Sequence, residues 1–75
     1  MMLLSDLRVG EVAHVKKINL SYNDKERVGA LGLIEGVNLI MLRQAPLGDP
    51  VMIKINNFSL ALRKSSASKI IVEKL

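Results

Sequence analysis

The sequence predicts a mainly β protein: a small closed barrel of five strands, with one short helix and one helical turn. Two observations lead there. Short stretches alternate apolar and polar residues with period two, most strictly at Val51, Ile53 and Ile55 against Met52, Lys54 and Asn56, the signature of a strand with one wetter face. Clusters of Gly, Pro, Asn and Ser interrupt these stretches every few residues, as turns between short strands require. Closing so many short strands into a barrel hides edges that an open sheet would expose. At 75 residues and 49% hydrophobic, the chain is expected to form one domain over residues 1–75, with no repeat, linker or low-complexity segment.

The elements follow in order. Residues 9–18, VGEVAHVKKI, place Val12, Ala13, Val15 and Ile18 between polar neighbours and read as the first strand. Asn19, Ser21, Asn23 and Asp24 form a turn-and-cap cluster. Residues 24–31, DKERVGAL, then predict a short amphipathic helix with Asp24 and Glu26 at its start and Val28 and Leu31 on one face. Gly32 is the stop. Gly29 inside it implies a close backbone approach or a weak element, because glycine costs about 1 kcal/mol in a helix relative to alanine.

Ile34, Glu35 and Gly36 make a turn into VNLIMLRQA, a nearly continuous apolar run expected to be the best-buried strand. Pro46, Gly48 and Pro50 mark a fixed corner before the strand at 51–55. Asn56 and Asn57 predict a tight hairpin into FSLALR, with Phe58, Leu60 and Leu62 facing the core. Ser65 or Ser66 caps a helical turn, and IIVE closes the set as the last strand.

Composition narrows function. There is no cysteine, so disulfides, thiolate metal sites and redox centres are excluded. His14 is the only histidine and has no partner at metal-ligand spacing. No nucleophile elbow or phosphate-binding glycine loop occurs, so no catalytic residue and no cofactor are expected. The opening MMLLSDL is too short and lacks the basic segment of a signal peptide, and a cytoplasmic protein is expected. The net charge of +4 is spread from Arg8 to Lys74, more like a solvated face than an anion-binding patch. Tyr22 and Phe58 are the only aromatic residues, too few for base-stacking or proline-rich recognition, so no nucleic acid is expected. Protein–protein contact remains.

Four segments together carry a resemblance. LSDLRVGEVAHVKKI at 4–18, LGLIEG at 31–36, APLGDPVMIKI at 45–55 and FSLALRKSSASKIIV at 58–72 resemble, in this order and spacing, the FeoA family of small accessory proteins of bacterial ferrous iron transport. The module is also similar to the SH3-like domain at the C-terminus of some metal-dependent repressors. The family usually has glycine where Asn56 and Asn57 stand and often an acid where Ser66 stands.

The resemblance implies an SH3-like barrel, no enzymatic activity, and binding to the cytosolic part of the FeoB transporter, whose GTP-binding domain gates or supports Fe(II) uptake, with recruitment to the inner face of the membrane. It leaves as an alternative a free-standing SH3-like regulatory module that senses metal or binds nucleic acid. The absence of a preceding helix-turn-helix favours the transporter accessory. Within that reading the expected partner contacts are Leu31, Leu33, Leu47 and Met52, with Lys25, Arg27 and Arg43 as steering charges. Leu33 and Leu47 are expected to expose their side chains, and pairing of sheet edges or apolar patches into a homo-oligomer is a further expectation.

Overall fold

The structure is a computed structural model describing residues 1–75. Its strands are β1 (Met2–Leu3), β2 (Val12–Ile18), β3 (Asn38–Gln44), β4 (Val51–Ile55), β5 (Phe58–Leu62) and β6 (Ile70–Lys74); helices α1 (Tyr22–Ala30) and α2 (Lys64–Ala67) interrupt them. All strand pairs are antiparallel, in the spatial order β1-β6-β2-β3-β4-β5. Register shifts between Val15 and Lys17 in β2, and between Met41 and Arg43 in β3, mark β-bulges. Such irregularities increase local twist and bend a strand, which lets a six-stranded sheet curl around one core.

Two expectations are corrected here. There are six strands rather than five, because the two-residue β1 pairs with Val72 and Ile71 of β6 and is too short to show periodicity. The sheet curls but does not close: β1 and β5 are its two edges and do not pair with each other. The mainly β, SH3-like architecture otherwise stands as read.

The core is wholly apolar. Sixteen buried residues form one cluster that draws on every strand except β1, on both helices and on the turns, and no polar side chain is buried in it. In β4, Val51, Ile53 and Ile55 are all buried, as their alternation requires. The strand expected to be best buried, β3, buries only Leu39 and Met41. Leu42 there is exposed, since a strand of an antiparallel sheet can cover the core with one face and meet water with the other. Phe58 is likewise exposed rather than core; it sits at the hairpin end of β5, beyond the cover of neighbouring elements, while Leu60 and Leu62 on the same face are half-buried and buried.

Local chemistry sets the connections. Ser21 caps α1, its Oγ accepting from the Asp24 N–H at 3.3 Å. At the other end the Gly32 N–H donates to the Gly29 carbonyl and the Leu33 N–H to the Val28 carbonyl, with Gly32 at φ +104°. This is a Schellman ending, which reverses the chain and brings the residue after the glycine back against the last turn. Asn56 adopts φ 54° in the β4–β5 hairpin, the left-handed conformation for which asparagine is suited. Neither serine caps α2 through its side chain; instead the Lys64 N–H donates to Asp49 Oδ1 at 3.0 Å, tying the proline corner to the start of α2.

Candidate functional site

The residues expected to meet a partner fall into two groups on the surface. At the corner, Leu47 stands 94% exposed, and Arg43 and Met52 are cross-strand neighbours in β3 and β4, the strands that the corner joins. Both line a cleft with Pro46 and Pro50, of about 340 Å³. On α1, Lys25 and Arg27, with Leu31 just past its end, flank two clefts. One, of about 540 Å³, runs between α1 and the following turn and is lined by residues that include Tyr22, Lys25, Ile34 and Glu35. The other, of about 390 Å³, lies between α1 and β5, with Leu20, Val28, Leu31 and Leu60 as its apolar surface and Asp24, Arg27, Ala61, Arg63 and Ser66 completing it.

Leu33 departs from expectation. It is completely buried, because the Schellman ending of α1 places it as the residue after Gly32 and turns its side chain inward toward Val28 and the core. It lies at the floor of the larger cleft beside α1 with no surface of its own in water, so it is not the exposed apolar side chain expected.

The corner is built from unlike parts. Pro46 opens a single turn in which the Gly48 N–H donates to the Ala45 carbonyl at 2.7 Å, and the Ala45 N–H donates to the Pro50 carbonyl at 3.0 Å. The Asp49–Pro50 peptide is cis. Leu47, with φ 69° and ψ 7°, occupies the left-handed region. That region costs an L-residue other than Gly, Asn or Asp roughly 1–2 kcal/mol, so a fully solvated leucine there does nothing for the corner that asparagine would not do at lower cost.

The charges expected to steer a partner have different surroundings. Lys25 Nζ approaches Glu35 Oε2 at 3.5 Å, and Arg27 pairs with Asp24 one helical turn away. Arg43 and Arg63 have no carboxylate partner within salt-bridge distance. Glu35 also accepts from the Ile18 N–H at 3.1 Å; that backbone hydrogen bond and then the Lys25 charge hold its carboxyl below the ordinary value. Glu11 is lowered likewise, first by its contact with Lys74 at 2.6 Å and then by the Arg8 N–H. His14 is half-buried on β2, its Nδ1 2.8 Å from Asn38 Oδ1, and no group of three or more His, Cys, Asp or Glu side chains comes together anywhere.

Reading the sequence missed Ile34, Leu60 and Arg63 as cleft residues. Ile34 is 52% exposed although it follows a buried leucine in an apolar pair, and only the helix ending decides which of the two faces inward. Leu60 and Arg63 gain their place from the failure of the sheet to close, which periodicity does not report.

The whole length of this arrangement matches a known family. The FeoA domain model covers residues 2–74. The chain belongs to the FeoA family. In Porphyromonas gingivalis, a protein described as a fusion of Fe(2+) transport protein A with the Fe(2+) transporter FeoB is 32% identical over 96% of this chain. The chain spans 8% of that fusion protein's length. The solution structure of a Chlorobium tepidum FeoA protein superposes with a TM-score of 0.94 at 38% identity, covering 99% of this chain and 70% of that one. A crystal structure of Stenotrophomonas maltophilia FeoA in complex with zinc, described as a prokaryotic SH3 domain protein, superposes at 0.80 with 30% identity, covering 97% of this chain and 91% of that one. The FeoA family is thereby linked to ferrous iron transport, and one relative joins this domain to the transporter in a single polypeptide. No helix of this FeoA chain is long and apolar enough to cross a membrane.

Proposed function

We propose that this FeoA chain is a non-enzymatic, cytoplasmic accessory protein of ferrous iron uptake that binds the cytosolic region of a FeoB-like transporter and through it gathers at the inner face of the membrane. The observation that carries the reading is the fusion: a relative holds this domain and the transporter in one chain. A tether presents one module to the other at concentrations on the order of millimolar, so the two act at the same place even if their contact is weak.

Leu47 supports a contact role. An apolar side chain almost fully in water, on a backbone conformation unfavourable to leucine, is unexplained by stability and fits an anchor that a partner covers. Met52 and Arg43 flank the corner, and Leu31, Lys25 and Arg27 form a second, separate group for partner contact. The excess of basic charge steers association with an acidic partner surface. Regulation then works by differential affinity: binding one transporter state better than another shifts the population toward it.

The test is calorimetric titration of the chain into the purified cytosolic domain of the FeoB-like transporter from the same organism, with GDP and then with a GTP analogue. Saturable binding that differs between the nucleotides is expected. Failure to bind both this domain and the full-length transporter in detergent would overturn the reading.

A further inference from the structure

The open sheet leaves β5 as an unprotected edge. Edge strands are normally blunted by shortness, proline, a bulge or charge, because their free N–H and C=O groups recruit other strands. The opposite edge, β1, has only two residues. By contrast β5 runs for five residues, FSLAL, without charge, proline or bulge.

The register says which groups are free. β4 and β5 join through the two-residue loop Asn56–Asn57, with Ile55 opposite Phe58, Ile53 opposite Leu60 and Val51 opposite Leu62. In an antiparallel hairpin these alternate pairs exchange hydrogen bonds, and the residues between them point N–H and C=O away from the partner strand. Those residues are Ser59 and Ala61, both exposed. No other strand pairs with β5, and neither residue takes part in a turn or loop backbone bond.

The cleft between α1 and β5 lies along this edge. Leu60 and Ala61 both line it, yet consecutive strand residues face opposite sides of a sheet, and a cleft that touches both runs along the strand's rim. Its apolar surface comes from Leu20, Leu31 and Leu60, and Arg63 stands beside Ala61 with no carboxylate partner. Arg27 is on the same cleft, engaged by Asp24.

From these features we infer that β5 accepts an extended acidic segment of a partner as a seventh strand. Its backbone would complete the hydrogen bonds of Ser59 and Ala61, alternate apolar side chains would cover Leu60 and Leu31, and carboxylates on the other face would meet Arg63. This is strand addition, in which main-chain bonds supply affinity and alternate side chains supply selectivity. The inference deepens the accessory reading and rests on it for the identity of the partner, a transporter segment; the chemistry of the edge stands on the structure alone.

The probe is a synthetic peptide, acetyl-Glu-Val-Glu-Val-Glu-Val-Glu-amide, titrated into the isotope-labelled chain and followed by amide NMR shifts and hydrogen exchange. The Ser59 and Ala61 amides are expected to shift and gain protection, with about tenfold weaker binding when lysine replaces glutamate in the peptide or in the R63E variant. The A61P variant removes the outward N–H without touching the β4–β5 ladder and is expected to lose the peptide while its other amide shifts stay in place. Should A61P not fold, R63E gives the same test.

No shift at Ser59 and Ala61 at millimolar peptide, or unchanged binding by a folded A61P, overturns the inference. So does protein-concentration-dependent protection of β5 without peptide, which would show a second copy of the chain on the edge. Titrating wild type and R63E into the FeoB-like cytosolic domain separates the two ideas. Equal binding by both refutes the edge and leaves the accessory role intact, whereas peptide binding without any transporter binding keeps the edge and refutes the accessory role.

Discussion

Leu47 and Leu33, two leucines of similar standing in the sequence, have opposite fates. Leu47 is in water on a left-handed backbone, and Leu33 is fully buried. Replacing Leu47 by asparagine is therefore expected to hold or raise stability by up to about 1 kcal/mol, since asparagine tolerates that conformation, while weakening transporter binding. Thermal melting and calorimetry on L47N check both halves; a loss of stability would show that the leucine serves the corner. Leu33→Asp is expected to unfold the chain. A buried leucine lost to a smaller residue costs about 2–5 kcal/mol before any charge is buried, against a total of roughly 4–11 kcal/mol for a domain of this size. Leu33 looked like a surface residue because it follows a helix-stopping glycine; whether the next side chain turns in or out depends on the hydrogen bonds of the helix ending, which residue type alone does not reveal.

At the scale of elements, α1 illustrates what the sequence makes legible. A cap among Asn19, Ser21, Asn23 and Asp24, Val28 as the buried contact and Gly32 as the stop are readable, because each rests on chemistry within one turn of the chain; that Ser21 is the cap, so that the helix starts at Tyr22 and not at Asp24, is seen only in three dimensions. Gly29 is not settled by the sequence. Its place inside the helix implies a close approach or a weak element, and a Cβ built there meets only Ile34 Cγ2 at an ordinary 3.7 Å, which leaves the weak element. Replacing it with alanine is thus expected to stabilise the helix by about 1 kcal/mol, raising the melting temperature by about 4–8 °C. A fall in melting temperature for G29A would mean that the turn at Ile34 cannot yield. The corner depends on a longer-range contact: D49A removes the acceptor for the Lys64 N–H and is expected to cost about 1 kcal/mol, seen as a lowered urea midpoint. That bond spans from one loop to the next helix, and proline and glycine spacing gave no sign of it.

For the molecule as a whole, alternation in β4, and in β5 beyond Phe58, marks the core side of the sheet, but not whether the sheet closes. Closure depends on where bulges bend β2 and β3 and on a two-residue β1 with no periodic signal, so the β5 edge and the cleft beside it emerge only in three dimensions. The loops are held partly by charge. Glu35 joins the end of β2 to α1, and Glu11 joins the β2 approach to β6. Both carboxyls are lowered in the folded state, so their contribution is present above the ordinary value of 4.5 and is lost as pH falls through the folded values. Melting temperature is expected to drop in that acid range, and to drop less steeply in E35Q, which keeps an acceptor for Ile18 but no charge. Equal acid sensitivity in E35Q would assign the effect to other groups.

Docking to the transporter is tested by an NMR titration of the labelled chain with the cytosolic domain of its FeoB-like transporter, read residue by residue. An accessory protein that docks through its exposed apolar corner and helix shows early shifts at Leu47, Met52 and Leu31, with Leu33 and the rest of the core unmoved. Spectra that stay unchanged with that domain and with the full-length transporter in detergent would contradict the proposed role.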